Sequence, residues 1–262
     1  MRNRIFKQII YAFFYICFFI VFVFGAANIF FTNKEVMPSC SDGIQNQGEA
    51  DIDCGGPCIA CEILKLSSIQ NLEPVKILHL NDGRVVLLGK ILNPNENYGT
   101  DRFFYSFKLY DINNNLLEIL SGGDSIFPAE IKYLYAVSAK TNFNGLGRVD
   151  LVFSKNDDIN WKAAHLFLKP NLNEPVDLIT EIIDRRIHVQ GLLRNVGSVG
   201  AEEIKIIALI SDKVGDDLFA MQTVVDNLEA FGEKTFDIIF PSDKSLTDNV
   251  DLKSTKVFIN SR

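Results

Sequence analysis

Four of the chain's five cysteines fall within CSDGIQNQGEADIDCGGPCIAC, residues 40–61, at the spacing C-x13-C-x3-C-x2-C. Thiols in such a pattern can do three kinds of chemistry. They can ligate zinc, but structural zinc sites pair two knuckles close to C-x2-C, and only Cys58 and Cys61 have that spacing. They can cycle between thiol and disulfide, but a reactive C-x-x-C needs a helix N-terminus in a βαβ setting to lower its thiol pKa, and nothing around Cys58 predicts one. In an oxidising compartment an even count reads instead as two structural disulfides, with three connectivities open. We therefore expect Cys40, Cys54, Cys58 and Cys61 to be disulfide-bonded.

The same segment carries hard oxygen ligands at Asp42, Asn46, Glu49, Asp51 and Asp53, so calcium is a candidate cofactor. The spacing departs from the EF-hand template because Gly48 precedes the Asp51-x-Asp53 pair. The competing reading is a solvated acidic loop whose Asp and Asn side chains cap turns. No catalytic residue is expected elsewhere. His79, His165 and His188 lie in separate segments without metal-ligand spacing, and neither a nucleophile elbow nor a phosphate-cradling glycine loop is present. The net charge of −7 and the lack of a dense Lys/Arg cluster argue against a nucleic-acid partner.

From Asp42 to Cys61 the string DGIQNQGEADIDCGGPCIAC resembles the Cys-rich D-G-I-x-N-x-x-E-x-D-x-D-C-G-G-x-C-x-x-C segment of exported bacterial and archaeal surface proteins. The resemblance implies export and a small stapled module, not catalysis.

Upstream, Arg2, Arg4 and Lys7 precede Ile9–Phe31, a stretch with no charged residue. That is long enough for a transmembrane helix over residues 9–31, with Tyr11 and Tyr15 near its start. The positive-inside bias then makes residues 1–8 a cytoplasmic tail and puts residues 33–262 outside, with the lipid bilayer as a partner. Gly25-Ala26-Ala27 supports an alternative, a cleaved signal peptide, although the apolar run resumes at Ile29.

Downstream the chain repeats. RVVLLGKILNP (84–94) aligns with RIHVQGLLRNV (186–196), matching Gly89 to Gly191 and Asn93 to Asn195. FYSFKLYD (104–111) aligns with KIIALISD (205–212). Within each copy the apolar residues alternate, the signature of half-buried strands. Val85, Leu87, Gly89 and Ile91 should face inward, as should Phe103, Tyr105, Phe107 and Leu109. Ile187, Val189, Gly191 and Leu193 take the same phase in the second copy, with Ile204, Ile206, Ala208 and Ile210 on the next strand. Asn81-Asp82-Gly83, Asn113–Asn115 and Asp212–Asp217 read as turns. The in-strand glycines mark a bulge or a close backbone approach, and the asparagines close strands with side-chain turns.

The expected fold is all-β. It has two tandem immunoglobulin-like sandwiches over residues 70–155 and 173–262, a linker at 156–172, a Cys-rich segment at 38–62, and the N-terminal helix. Phe107, Leu109, Tyr110 and Asp111, in FKLYD after Gly89 and Asn93, resemble the FxLYD-type domain. That family is immunoglobulin-like, occurs in exported or membrane-anchored proteins, and has no established catalytic residues. The second copy has ALISD at these positions. Trp161, the only tryptophan, packs into the first copy or serves as a recognition aromatic.

One asymmetry stands out between the copies. Val86, Leu88 and Leu92 point away from the first core, where the second copy has His188, Gln190 and Arg194. A face of this kind is expected to be covered by the chain itself or by a protein partner. The functional expectation is a non-catalytic, membrane-anchored binding or scaffolding protein of the cell envelope. The alternatives are a calcium- or ligand-sensing ectodomain and a thiol-disulfide oxidoreductase using Cys58 and Cys61.

Overall fold

The computed structural model describes residues 11, 13–23, 39–80, 83–138 and 141–262. The chain divides into two compact units, Met1–Leu64 and Lys65–Arg262. In the first, residues 13–23 form a helix, α1, whose side chains are exposed. Among the described residues no helix is long and apolar enough to cross a membrane. The expected single-pass topology, with a cytoplasmic N-terminus and residues 33–262 outside, is corrected on this ground. The bilayer contact rested on that span. Residues 1–8 and, of the expected span, residues 9, 10, 12 and 24–31 lie outside the described residues.

Short connections and disulfides dominate the rest of this unit. It ends in α2 (Cys61–Leu64). Lys65–Arg262 is almost entirely β, as the alternation predicts. Its strands are β1 (Gln70–Asn71), β2 (Lys76–His79), β3 (Val85–Leu92), β4 (Tyr98–Tyr110), β5 (Leu116–Ile126), β6 (Ile131–Ser138), β7 (Arg148–Phe153) and β8 (Lys162–Ala163). They continue as β9 (Val176–Ile183), β10 (Arg186–Arg194), β11 (Ala201–Ser211), β12 (Asp217–Leu228), β13 (Glu233–Ile239) and β14 (Lys256–Ser261), with the short helix α3 (Lys244–Asn249) before the last.

The duplication is visible in the pairing. In the first copy β3 lies between β1/β2 and β6, and β4 lies between β5 and β7. In the second, β10 lies between β9 and β13, and β11 between β12 and β14. All these pairs are antiparallel. The inward phase read from the sequence holds on the central strands of both copies, where Leu87, Ile91, Phe107, Ile187, Val189 and Ile206 are fully buried. Tyr105 is only half-buried.

Two polar devices and one glycine recur at matching positions. Asn93 Nδ2 donates to Tyr98 O at 2.7 Å and Phe127 O at 2.9 Å, while its Oδ1 accepts from Asn95 N at 3.0 Å. Asn195 repeats this with Val199 O at 2.7 Å, Glu229 O at 3.1 Å and Gly197 N at 3.0 Å. Each amide pins the ends of both sheets. Asp111 Oδ1 accepts from Asn113 N and Asn115 N at 2.8 Å, and Asp212 Oδ1 from Val214 N and Asp216 N at 2.9 Å, closing the next turn in each copy. A Cβ on Gly89 would sit 2.6 Å from Leu151 in the opposite sheet, and one on Gly191 would sit 2.8 Å from Phe236. The β9–β10 register shifts at that glycine.

Residues 156–172 are not a free tether. β8 pairs with Tyr98 and Gly99 of β4, and Trp161 is buried. Of the expected Asn81-Asp82-Gly83 turn, Asn81 and Asp82 lie outside the described residues.

Removing either amide pin strands two buried carbonyls and a backbone N–H. Asn93→Ala and Asn195→Ala should each lower stability by about 2–3 kcal/mol in urea unfolding.

Candidate functional site

The stapled segment resolves its open connectivity. Cys40 pairs with Cys58, and Cys54 with Cys61. The two bridges overlap in sequence, so the segment from 40 to 61 is cross-braced as one unit. A stretch this short cannot bury enough apolar area to hold itself, and loop closures of this size are worth about 2–3 kcal/mol each. Two bends meet inside it, where a Cβ on Gly56 (φ 58°) would lie 2.4 Å from Gly48 O.

The acidic residues spend their oxygens on this loop. Asp53 accepts from Asp42 N and Gly43 N at 2.9 and 3.0 Å. Asp42 accepts from Ile44 N at 2.9 Å, Asn46 Nδ2 at 3.0 Å and Ser39 N at 3.1 Å. The Asn46 hydrogen bond, helped by the backbone donors, holds the Asp42 carboxyl below its usual value. Buried Glu49 accepts from Asn46 N at 3.2 Å and Asp53 N at 3.3 Å. Asp51 caps its neighbour Ile52 N at 2.8 Å.

Among the described residues, one group of Cys, His, Asp or Glu has its ligand atoms within 4.8 Å of one another, namely Cys40, Glu49 and Cys58. Both its sulfurs are joined to each other, so neither is a thiolate. The approach of Glu49 Oε1 to Cys58 Sγ, 3.1 Å, is an S···O contact with no proton to share. Cys58 and Cys61 belong to different bridges. The histidines remain apart: His79 stacks on Phe143 with centroids 3.6 Å apart, His165 is exposed, and His188 Nδ1 lies 3.1 Å from Asp237.

The outward residues of β3 lead to the largest assembled surface. Val86 and Leu88 are 1% and 2% exposed, and Leu92 is half-buried beside Ile131. Val86, Leu88 and Leu78 belong to one continuous apolar cluster with Ile207 and Leu209 of β11, and Tyr133, Tyr135 and Phe258 pack against it. The outer face of the β2-β3-β6 sheet thus lies on the outer face of the β12-β11-β14 sheet, with β12 against β2 and β3, and β14 against β6. Tyr133 stacks on Phe258 at 3.7 Å. Asn260 Nδ2 donates to Tyr133 O at 2.7 Å, and its Oδ1 accepts from Tyr133 N at 3.2 Å, so one side chain pairs with β6 as a strand would.

A charge cluster invisible to local sequence reading closes one end of this junction. Lys132 is 1% exposed. Its Nζ donates to Ser125 O at 2.6 Å and Asp124 Oδ1 at 3.3 Å, and lies 3.9 Å from Glu130. Lys205 of the second copy donates to Asp124 Oδ2 at 2.8 Å. Burial pushes the Asp124 carboxyl up, but Lys132 and Lys205 outweigh it and hold the group below its usual value. For Lys205 burial pulls down, and the Asp124 carboxylate raises it further than that. On the opposite side Lys76 Nζ donates to Asp217 Oδ2 at 2.5 Å. Burial again raises that carboxyl, and Lys76 again outweighs it.

No protein-family model matches the chain, and a search of curated proteins gave no match. Among solved structures, red sea bream transglutaminase is similar over 75% of this chain and 29% of its own, at 8% identity and a TM-score of 0.24. The exo-chitosanase CsxA of Amycolatopsis orientalis is similar over 72% of this chain and 25% of its own, at 14% identity and a TM-score of 0.20. The chain thus spans well under a third of the length of either protein, and likeness this slight carries no argument about activity.

Two outcomes follow. With four cysteines bridged and Cys17 free, thiol titration of the denatured chain should find one reactive thiol without reductant and all five with it. For pH, carboxylates depressed in the fold stabilise above the unfolded value of about 3.9 and lose that contribution as pH falls through the folded value. A raised Lys205 contributes below about pH 10.4 and fades only above it. Stability should therefore be flat from about pH 5 to 9 and drop below about pH 4. Asp124→Asn should cost about 3–5 kcal/mol at pH 7 by removing the carboxylate that Lys132 and Lys205 share, and should make the acid limb shallower in unfolding curves taken from about pH 7 to about pH 3.

Proposed function

We propose that the chain is a non-catalytic binding or scaffolding protein built from two immunoglobulin-like sandwiches and a disulfide-stapled module. The observation that carries this reading is the junction just described. It joins four sheets into one stack, with exposed apolar residues on the sheet face at each end. The strand order supports the immunoglobulin-like assignment, since, with the two-residue strands β1 and β8 set aside, in each copy the first, second and fifth strands share one sheet and the third, fourth and sixth the other. Support for the FxLYD resemblance comes from the packing of its residues. Phe107 and Leu109 are core residues, Asp111 caps the following turn, and Tyr110 lies under Arg148 with the guanidinium 4.3 Å from the ring centroid.

The chemistry-bearing side chains are engaged in holding the fold, which favours binding over catalysis. Pairing each half of the C-x-x-C with a distant cysteine favours bracing over redox cycling, and suits an oxidising compartment.

A photo-reactive residue at Val152 or Ile239, one on each open face, should give a discrete adduct in the native cell. Adducts at neither position, in protein shown to be folded and expressed, would defeat the binding reading.

A further inference from the structure

The junction shows what covers a face of this kind. An outer face of the β2-β3-β6 type is laid on one of the β12-β11-β14 type, first strand over fourth and fifth over sixth. Duplication gives the chain a second of each. The outer face of β9-β10-β13 is equivalent to the first, and that of β5-β4-β7 to the second. They stand at opposite ends of the stack, so one molecule cannot join them.

The two open faces are patterned alike. On β9-β10-β13 the flanking strands carry Ile179, Ile183 and Ile239, which are 52%, 38% and 43% exposed, with exposed Glu181 between the first two. Between them lie His188 and Gln190, with Asp237 accepting from Gln190 Nε2 at 3.2 Å. On β5-β4-β7 the flanks carry Leu117, Ile119 and Val152, which are 44%, 49% and 38% exposed. The centre carries Phe104, which is 57% exposed, with Ser106 and Lys108, the last two paired across the sheet with Val152 and Asp150. Stacked as the internal junction is stacked, β9 falls over β5, β10 over β4 and β13 over β7. Apolar residues of the flanks then meet, and Lys108 is brought to the carboxylate of Asp237.

We propose that a second copy of this chain docks head-to-tail, its β5-β4-β7 face on this chain's β9-β10-β13 face. The inference deepens the scaffold reading and rests on it. Such a contact is heterologous, so it extends into linear oligomers unless the rotation closes a ring. It is weaker than the internal junction, because His188 and Gln190 stand where Val86 and Leu88 stand, and Ser106 and Lys108 where Ile207 and Leu209 stand. Assembly is therefore concentration-dependent, and the two-copy stack is permanent.

Sedimentation velocity of the full chain tests this, in a mild non-ionic detergent because the side chains of residues 13–23 are exposed. The wild type should shift to larger species with concentration. Ile179→Asp blocks one face and Ile119→Asp the other, so each variant alone should lose the larger species. An equimolar mixture retains one free face of each kind and should form dimers and nothing larger. Thermal melts matching the wild type exclude misfolding. As a second route, Lys108→Glu should abolish association and Lys108→Glu with Asp237→Lys should restore it. Association unchanged in either single Asp variant, no dimer in the mixture, or no restoration by the charge swap overturns the proposal. A wild type that stays monomeric while Val152 or Ile239 photo-adducts contain a different protein also overturns it, and leaves the scaffold reading standing.

Discussion

The contact between the outward face of β3 and the outward face of β11 is the constraint on which the rest of Lys65–Arg262 depends. A sheet of a sandwich normally presents one apolar face to its own core and one polar face to water. Here β3 and β11 are apolar on both, and neither could stay folded and soluble with Val86, Leu88, Ile207 and Leu209 exposed. Burying them against one another joins the sheets of both copies into a single body. The ion pairs sit at the margins of this apolar patch, Lys76 with Asp217 at one side and the Asp124 cluster at the other. Apolar burial is non-directional, while charged hydrogen bonds have fixed geometry. The first supplies the driving force, and the second sets how the sheets are aligned.

The copies keep what a sandwich needs and differ in what it presents. Inward positions, the strand-closing asparagines and the turn aspartates recur in both. Outward positions change in a reciprocal way. Where one copy is apolar on its first sheet, the other is polar there, and the order reverses on the second sheet. That reciprocity is what two faces selected to meet each other should show, since a surface apolar in only one partner would gain little from contact.

Much of this was legible in the sequence. The strand phase followed from side-chain alternation because burial of one face enforces it, and the pins followed from asparagines at repeat-equivalent positions. Val86 and Leu88 marked one half of the junction. The other half, Ile207 and Leu209, was not recognised, because an apolar residue between apolar neighbours breaks the alternation without naming what covers it. The Asp124–Lys132–Lys205 cluster joins residues up to 81 positions apart, and no local pattern encodes such a pairing. Disulfide connectivity was open for the same reason. The length of an uncharged run set the expectation of a membrane span, and among the described residues no helix is long and apolar enough to cross one.

Lys132 shows how a junction of this kind can recruit a residue that had another use. By register, Ile91 pairs with Lys132 as Leu193 pairs with Lys234, so the two lysines are equivalent. Each donates to a main-chain carbonyl near the end of the neighbouring long strand at 2.6 Å, Lys132 to Ser125 O and Lys234 to Asp226 O. In the second copy the ammonium is exposed and the bond is a simple surface closure. In the first, the last strand of the second copy passes over it, bringing Ser261 O to 3.5 Å and removing water. A lysine desolvated without compensation would lose its proton or its place. Asp124 and Glu130 supply the compensation, and Asp124 reaches Lys205 with its other oxygen. The same carboxylate that makes burial of Lys132 tolerable therefore also ties the two copies together. Removing it would cost the fold and the junction at once.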